Sequence, residues 1–416
     1  MQKAFRVNLI DILIFLFCIS MYVFALEERY NIIFRVITVA MIIFLLNYAW
    51  HKKIVVDTYI ITIFAFLLFS FISVFWAKDL TRAIFKCRTI SEILLLIMLL
   101  NNYLRQEGKY RLFLFSMTCS TWVYSLYILF YYGLSNFIRL IQLSERVGSE
   151  LTNVNTIGVC TALGAILTLW YMLYEKRYHY IAPLVLCAVV SISTASKKVV
   201  LCFVVGFFLL FTLKNADRKL IKKILVGVIA LILLYSLLQL PIFENVLYRV
   251  NRFIWTFTGE GRGDGSSQTR WYYIVIGLQE FLKRPFWGVG IGCSGWITNN
   301  YVGKWTYLHC NPVELLASVG IIGFVLFYAT YWMPIYRLVK DKILKNKYSV
   351  LAFCLVVLRL ALHIASVEYY DKLEFLYLLL IYLLVFQADT KEAAVTDSPD
   401  HFEQSRTIMH SKGLPE

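Results

Sequence analysis

Apolar residues in this chain come in runs of about 20, separated by short polar connections, and the runs begin almost at the first residue. A helix of that length crosses a hydrocarbon core of about 30 Å. Read between the charged punctuation, the pattern predicts spans near 8–26, 32–50, 54–76, 89–104, 112–132, 155–174, 181–195, 198–214, 224–240, 315–336, 349–366 and 374–388. The expected architecture is an all-α polytopic membrane protein of about twelve transmembrane helices. Around Ala195-Ser196-Lys197-Lys198 two short spans are expected, with one long span as the alternative. The first run follows Lys3 and Arg6 as a signal peptide would. It is too long for such a segment, however, and ends in Leu26-Glu27-Glu28-Arg29 rather than in small residues, so it reads as a retained span.

The connections fall into two sets. His51-Lys52-Lys53, Arg105 to Arg111, Lys176-Arg177, Lys214 to Lys223 and Arg337 to Lys347 are short and basic, which marks them as cytoplasmic. The other set, taken as external, comprises Ala77 to Arg88, Leu134 to Thr152 and a long connection from Pro241 to about Leu308. With the N-terminus inside and an even number of spans, the polar tail from Asp389 to Glu416 is cytoplasmic and expected to be disordered. The chain thus divides into a membrane domain over 1–388, an extracytoplasmic loop at 241–308 within it, and a tail at 389–416.

Composition sharpens this picture. Of 416 residues, 60% are hydrophobic and only 16% charged, against roughly a quarter charged in a soluble domain. The net charge of +15 would suit a nucleic-acid binder, but the basic residues follow the connections, so topology explains them and no nucleic-acid partner is expected. The nine cysteines show no CxxC pair and no zinc-like spacing, and no metal or cofactor is expected. Cys293 and Cys310 share the long loop; free thiols are the preferred reading, with a disulfide as the alternative.

That loop breaks the topological rule, since it carries Arg249, Arg252, Arg262, Arg270, Lys283, Arg284 and Lys304 on the external side. A basic outer surface suggests an anionic ligand. Gly261-Arg262-Gly263-Asp264-Gly265-Ser266-Ser267 reads as a flexible turn. Trp271, Ile274, Val275, Leu278, Phe281 and Leu282 then recur at helical spacing, which predicts an amphipathic helix at the membrane surface, ended by Pro285. Arg270 would sit in its first turn, where a guanidinium and free N–H groups could hold a phosphate; an interfacial arginine among lipid head groups is the alternative. Gly288, Gly290 and Gly292 read as a tight backbone turn. His309 stands where the loop re-enters the membrane, placed to take a proton from a hydroxyl or to serve as a structural imidazole. Arg359 and His363, four apart on one helical face inside a span, read as structural hydrogen-bonding groups facing the bundle interior. Glu368, Tyr369, Tyr370 and Asp371 lie just outside it, as sugar contacts or interfacial anchors.

Taken in order, these pieces resemble the O-antigen ligase and polysaccharide polymerase (Wzy-like) superfamily. His309-Cys310-Asn311-Pro312-Val313-Glu314-Leu315-Leu316 followed by Gly320-Ile321-Ile322-Gly323 is similar to that family's His-Asn-x-x-Leu-Glu-x-x-x-x-x-Gly-x-x-Gly signature. Cys310 is interposed here, and Val313 replaces a leucine. Arg270 before a helix, then Lys283-Arg284-Pro285-Phe286-Trp287-Gly288-Val289-Gly290, resembles its arginine, helix and Pro-x-x-Gly-x-Gly series. Asn153-Val154-Asn155-Thr156-Ile157-Gly158 and Thr194-Ala195-Ser196-Lys197-Lys198 resemble its Asn-x-Asn-x-x-Gly entry and its Ser-Lys-Lys turn.

The resemblance implies a metal-independent glycosyltransferase of the bacterial cytoplasmic (inner) membrane, with both termini cytoplasmic. It would take an undecaprenyl-diphosphate-linked oligosaccharide and a glycan acceptor among membrane lipid, with a chain-length regulator as a further partner. By that resemblance His309 orients or deprotonates the acceptor and Arg270 holds the diphosphate. Arg146, Lys197 and Lys198 are further substrate-binding candidates, against readings as a solvated loop residue and turn anchors. Asn155 is expected to cap the helix that follows it. The Ser-Lys-Lys turn and the short stretch from Arg270 to His309 favour a polymerase of repeat units. The alternatives are a ligase that transfers glycan to lipid A core and a lipid-linked saccharide transporter. A transporter would spread charge along several spans with repeat symmetry, which this sequence lacks.

Overall fold

The computed structural model describes residues 8–25, 31–143, 145–214, isolated positions between 225 and 258, 265–340 and 346–396, with side chains as far as 386 in the last segment. All regular structure among the described residues is helical. In chain order the helices are α1 (Leu9–Val23), α2 (Asn31–Trp50), α3 (Thr58–Ser73), α4 (Leu80–Gln106), α5 (Tyr110–Tyr132), α6 (Leu134–Gln142) and α7 (Val154–Tyr174). They continue with α8 (Ile181–Ser193), α9 (Lys197–Lys214), α10 (Gly265–Lys283), α11 (Ser294–Val302), α12 (Asn311–Lys340), α13 (Lys347–His363) and α14 (Lys372–Thr396).

Among the described residues five stretches, Asn31–Trp50, Thr58–Trp76, Tyr110–Tyr132, Val154–Tyr174 and Asn311–Lys340, are long and apolar enough to cross a membrane; Leu9–Val23 and Tyr178–Ser193 are apolar but shorter. Most of the expected span at 224–240 lies outside the described residues, as do Lys3, Arg6, Glu27, Glu28, Arg29, Lys219, Arg249, the Gly261–Asp264 turn with Arg262, Lys342 and the tail from 397.

Helix α14 is the central post: from Leu373 to Val385 nearly every side chain is buried, as expected of a helix that is apolar all round. Around it, α13 packs on α9 and α14, α7 on α5, α8 and α9, α1 on α2 and α5, and α12 on α3, with α10 laid against α12. Helix α2 is peripheral and buries only Phe34, Met41 and Leu45.

The two sets of connections segregate. In the basic set, Arg105 pairs with Asp57, Lys109 pairs with Asp11 (2.7 Å), Gln106 donates to the Lys53 carbonyl (2.6 Å) and the Trp170 indole donates to that of Lys347 (3.0 Å). In the other set, Lys78 N–H donates to the Val289 carbonyl (3.0 Å), Val147 N–H to that of Ser193 (3.2 Å), and Lys197 Nζ donates to Ser267 Oγ (3.1 Å).

Several boundaries differ from expectation for identifiable reasons. Helix α4 starts at Leu80 rather than near 89, because Asp79 accepts from the Arg82 N–H and caps it; the charges of Arg82, Lys86 and Arg88 ride on its first turns. Helix α14 continues through 389–396, the start of the segment expected to be a tail. The chain between α8 and α9 breaks at Ala195, whose φ is 47°, so the two short helices expected there are separate. Helix α10 takes in Gly265, Ser266 and Ser267, the end of the segment expected to be a turn, and the Thr269 hydroxyl bonds back to the Gly265 carbonyl (2.9 Å). Arg270 is therefore in the second turn, beyond the free N–H groups of the helix start, and the joint phosphate grip expected there does not form.

The glycine series is a backbone crossing. Helix α12 is kinked at Gly320 (φ 65°, ψ −170°). The kink frees the carbonyls of Ala317 and Ser318, which accept from the N–H groups of Val289 (3.0 Å) and Gly290 (2.8 Å), while the Ile321 N–H donates to Pro285 (2.8 Å). A Cβ on Gly320 would lie 2.2 Å from the Phe286 oxygen, and one on Gly288 2.4 Å from the Ser318 carbonyl carbon. This crossing fixes the chain that runs from α10 to His309.

Candidate active site

At the end of the bundle where the second set of connections meets, a cavity of about 460 Å³ opens among α1, α2, α7, α9, α10, α13 and the turn into α14. Its walls include Arg270, Lys198, His309, Tyr307, Arg359, Glu368, Tyr370 and Asp371. Three of the five residues expected from the sequence are thus brought together from segments far apart in the chain. Cys293 and Cys310, in the same region, are separate free thiols.

His309 is held from several sides. Its φ is 60°, and its ring lies between Tyr273 (centroids 5.8 Å, planes 8° apart) and Tyr307 (4.0 Å). Just before it, the Leu308 N–H donates to Glu314 Oε2 (2.8 Å), and Glu314 also takes the Ser294 hydroxyl. Just after it, Asn311 Oδ1 accepts from the N–H groups of Glu368 (2.9 Å) and Tyr369 (3.1 Å), fastening the 364–371 turn to the start of α12. Asn311 and Glu314 therefore position His309 and the turn opposite it. The motif contained both residues, but nothing in its spacing revealed these bonds.

Burial pushes the His309 imidazole down to about 4, and the nearby charges of Arg270, Lys198 and Lys304 push the same way. It is neutral at physiological pH and can accept a hydrogen bond from a hydroxyl. Among the described residues neither Lys198 nor Arg270 has a hydrogen-bond or ion-pair partner, which leaves two cations facing one cavity. Asp371, on the facing turn, is pushed up to about 6, chiefly by burial and next by Glu368.

Arg146 and Lys197 stand behind this wall rather than in it. Arg146 donates to the Thr194 carbonyl (2.9 Å) and to Asn155 Oδ1 (3.1 Å), which also accepts from the Ser196 hydroxyl (2.9 Å). Asn155 thereby ties the Ser-Lys-Lys turn to α7, and it lines the cavity itself. The cap of α7 is Asn153, which accepts from the Asn155 N–H (3.0 Å), so the capping role expected of Asn155 belongs to its neighbour.

Below the cavity, Arg359 pairs with Glu374 and lies 3.7 Å from Glu368, and His363 is 3.3 Å from Glu374. Tyr331 bonds Glu374, and Tyr328 joins His363 (3.1 Å) to Asn311 (3.1 Å). The hydrogen-bonding role expected of Arg359 and His363 is present, with Glu374 as the shared partner.

Residues 182–328 match the O-antigen ligase family. That match takes in Lys197, Lys198, Arg270 and His309, while Arg146 and the Asn153–Gly158 part of the resemblance read from the sequence lie before it. Among curated proteins none matches the chain. The apolar helices describe a multi-pass membrane protein, and the matched segment is similar to the O-antigen ligase family.

Proposed function

We propose that the chain is a polymerase of the bacterial cytoplasmic membrane that joins undecaprenyl-diphosphate-linked repeat units on the outer face. The observation that carries this reading is the pair Lys198 and Arg270, which among the described residues have no hydrogen-bond or ion-pair partner, beside a neutral His309 in one cavity. A hydroxyl of the acceptor glycan, hydrogen-bonded to His309, attacks the anomeric carbon of the donor sugar. The new C–O bond forms as the sugar–phosphate bond breaks, and the electron pair leaves with the lipid diphosphate. Arg270 and Lys198 meet that growing negative charge, and the hydroxyl proton passes to His309. The two cations take the charge-neutralising part that a divalent metal plays elsewhere, so transfer is expected to survive chelator.

The family description itself favours the second reading, a ligase acting on a core acceptor. The deciding experiment gives purified protein a lipid-diphosphate-linked repeat unit with chelator present, with and without a core acceptor. Chain growth without the acceptor supports the polymerase. Transfer only to the core makes it a ligase, no transfer under either condition removes the reading, and rescue by magnesium alone removes its metal-independence.

A further inference from the structure

The transfer chemistry leaves one charged surface unused. Arg82 and Lys86 lie four residues apart on one face of the first turns of α4, and Lys78 stands just before the Asp79 cap. Each lies over a ring from a different segment: Lys78 over Trp296 (5.7 Å to the centroid), Arg82 over Trp305 (5.0 Å) and Lys86 over Tyr370 (3.0 Å). Gly295 makes room for this row, since a Cβ there would come 2.9 Å from the Trp305 ring. Lys304 stands exposed beside Trp305 and is close enough to depress His309.

The row runs into the cavity. Trp305 is 45% exposed and Tyr307 39%, and the extended chain through them ends at His309. Tyr370, under Lys86, is itself a cavity wall. Among the described residues only Arg82 of these four cations has a carboxylate partner, Asp79 at 3.2 Å.

We propose that this row is the track on which an acidic glycan lies as acceptor, its terminal hydroxyl delivered to His309; the proposal rests on the transfer reading above. The C–H faces of sugar rings pack on exposed aromatic edges, and cations held between such rings suit carboxylate-bearing sugars. A neutral chain would gain little from four cations, whereas an acidic one neutralises them. Cations serving lipid head groups would extend towards the bilayer. Here they are folded onto rings that lead to the cavity.

The probe is the polymer made by the strain that carries the protein, cut to short oligosaccharides by mild acid and labelled at the reducing end. Composition analysis should find a carboxylate-bearing sugar in the repeat; a neutral polymer overturns the proposal. The full chain in nanodiscs of zwitterionic lipid should bind these oligosaccharides with an affinity that falls as salt is added. Arg82→Gln combined with Lys304→Gln should raise Kd roughly tenfold, as should Trp305→Ala, at unchanged donor binding. Unchanged Kd in both variants, or a loss seen only when anionic lipid is present, overturns the track. His309→Ala should keep oligosaccharide binding and lose transfer. Transfer with unaffected variants sinks the track alone, whereas weakened variants of a protein that never transfers sink the transfer reading alone.

Discussion

Tyr273 lies almost parallel to His309, with ring centroids 5.8 Å apart and planes differing by 8°, so α10 supplies both the cation Arg270 and one wall of the imidazole's slot. The two residues can nevertheless be separated by mutation. His309→Ala is expected to block transfer while leaving donor binding within about twofold, because the diphosphate contacts remain. Arg270→Lys keeps the charge but loses the planar fork, and turnover should fall by about 10²-fold. Donor binding and transfer measured at matched membrane abundance check both; a His309→Ala protein with near-parental transfer ends the mechanism.

A second prediction concerns pH. In the substrate-free protein His309 sits at about 4 instead of 6.5, so it is neutral from alkaline pH down to about pH 5. The acid limb of kcat/KM that reports it should therefore lie well below 6.5. A bound diphosphate opposes the cations that depress the imidazole, so the corresponding limb of kcat should lie at higher pH. Asp371, held at about 6, titrates in this window, and the profiles are best taken in Asp371→Asn, which keeps an oxygen for the Leu373 N–H. Coincident limbs near 6.5 would show that the imidazole is not held down.

A third prediction tests the backbone crossing. Gly320→Ala places a Cβ 2.2 Å from a carbonyl oxygen in a conformation reserved for glycine, and should cost at least about 2 kcal/mol. Gly303, also at positive φ (70°) but with nothing within 4 Å of a Cβ, should tolerate Asn with little loss. Melting of the detergent-solubilised variants gives the comparison, and equal Tm values would mean that the crossing contributes no stability.

The topology prediction uses single cysteines in a background without native thiols. Positions 270 and 309 should label from outside, and positions 219 and 342 only after the membrane is breached. The reverse pattern would put the cavity in the cytoplasm, away from its proposed substrate.

The sequence carried the periodic features well, because a helix in lipid writes itself as an unbroken apolar run; α2, α5 and α7 lie close to where those runs place them. His309 stands out where the long loop re-enters the membrane and Arg270 within that loop, whereas Lys198 is named only through the family resemblance; the structure places all three on one cavity. What periodicity could not show was pairing between distant segments. Glu374 carries no signal in the sequence, because its partners Tyr331, His363 and Arg359 come to it from α12 and α13. Arg146 looked like a loop cation because its partner Thr194 is far away in the chain. The short helices α6 and α11 escaped notice because each is only 9 residues long.

Trp271, Leu278 and Leu282 on α10 are 60%, 40% and 74% exposed, while Tyr273, Ile276 and Gly277 on its other side are buried against the protein. Such a helix works as a float: its apolar flank finds the waterline of the bilayer and sets the height of everything fastened to it. Arg270 is fastened to it. On the proposed function, this would moor the cation at the depth of lipid phosphates, where a lipid-borne donor could reach it by drifting sideways, without being lifted from its own leaflet.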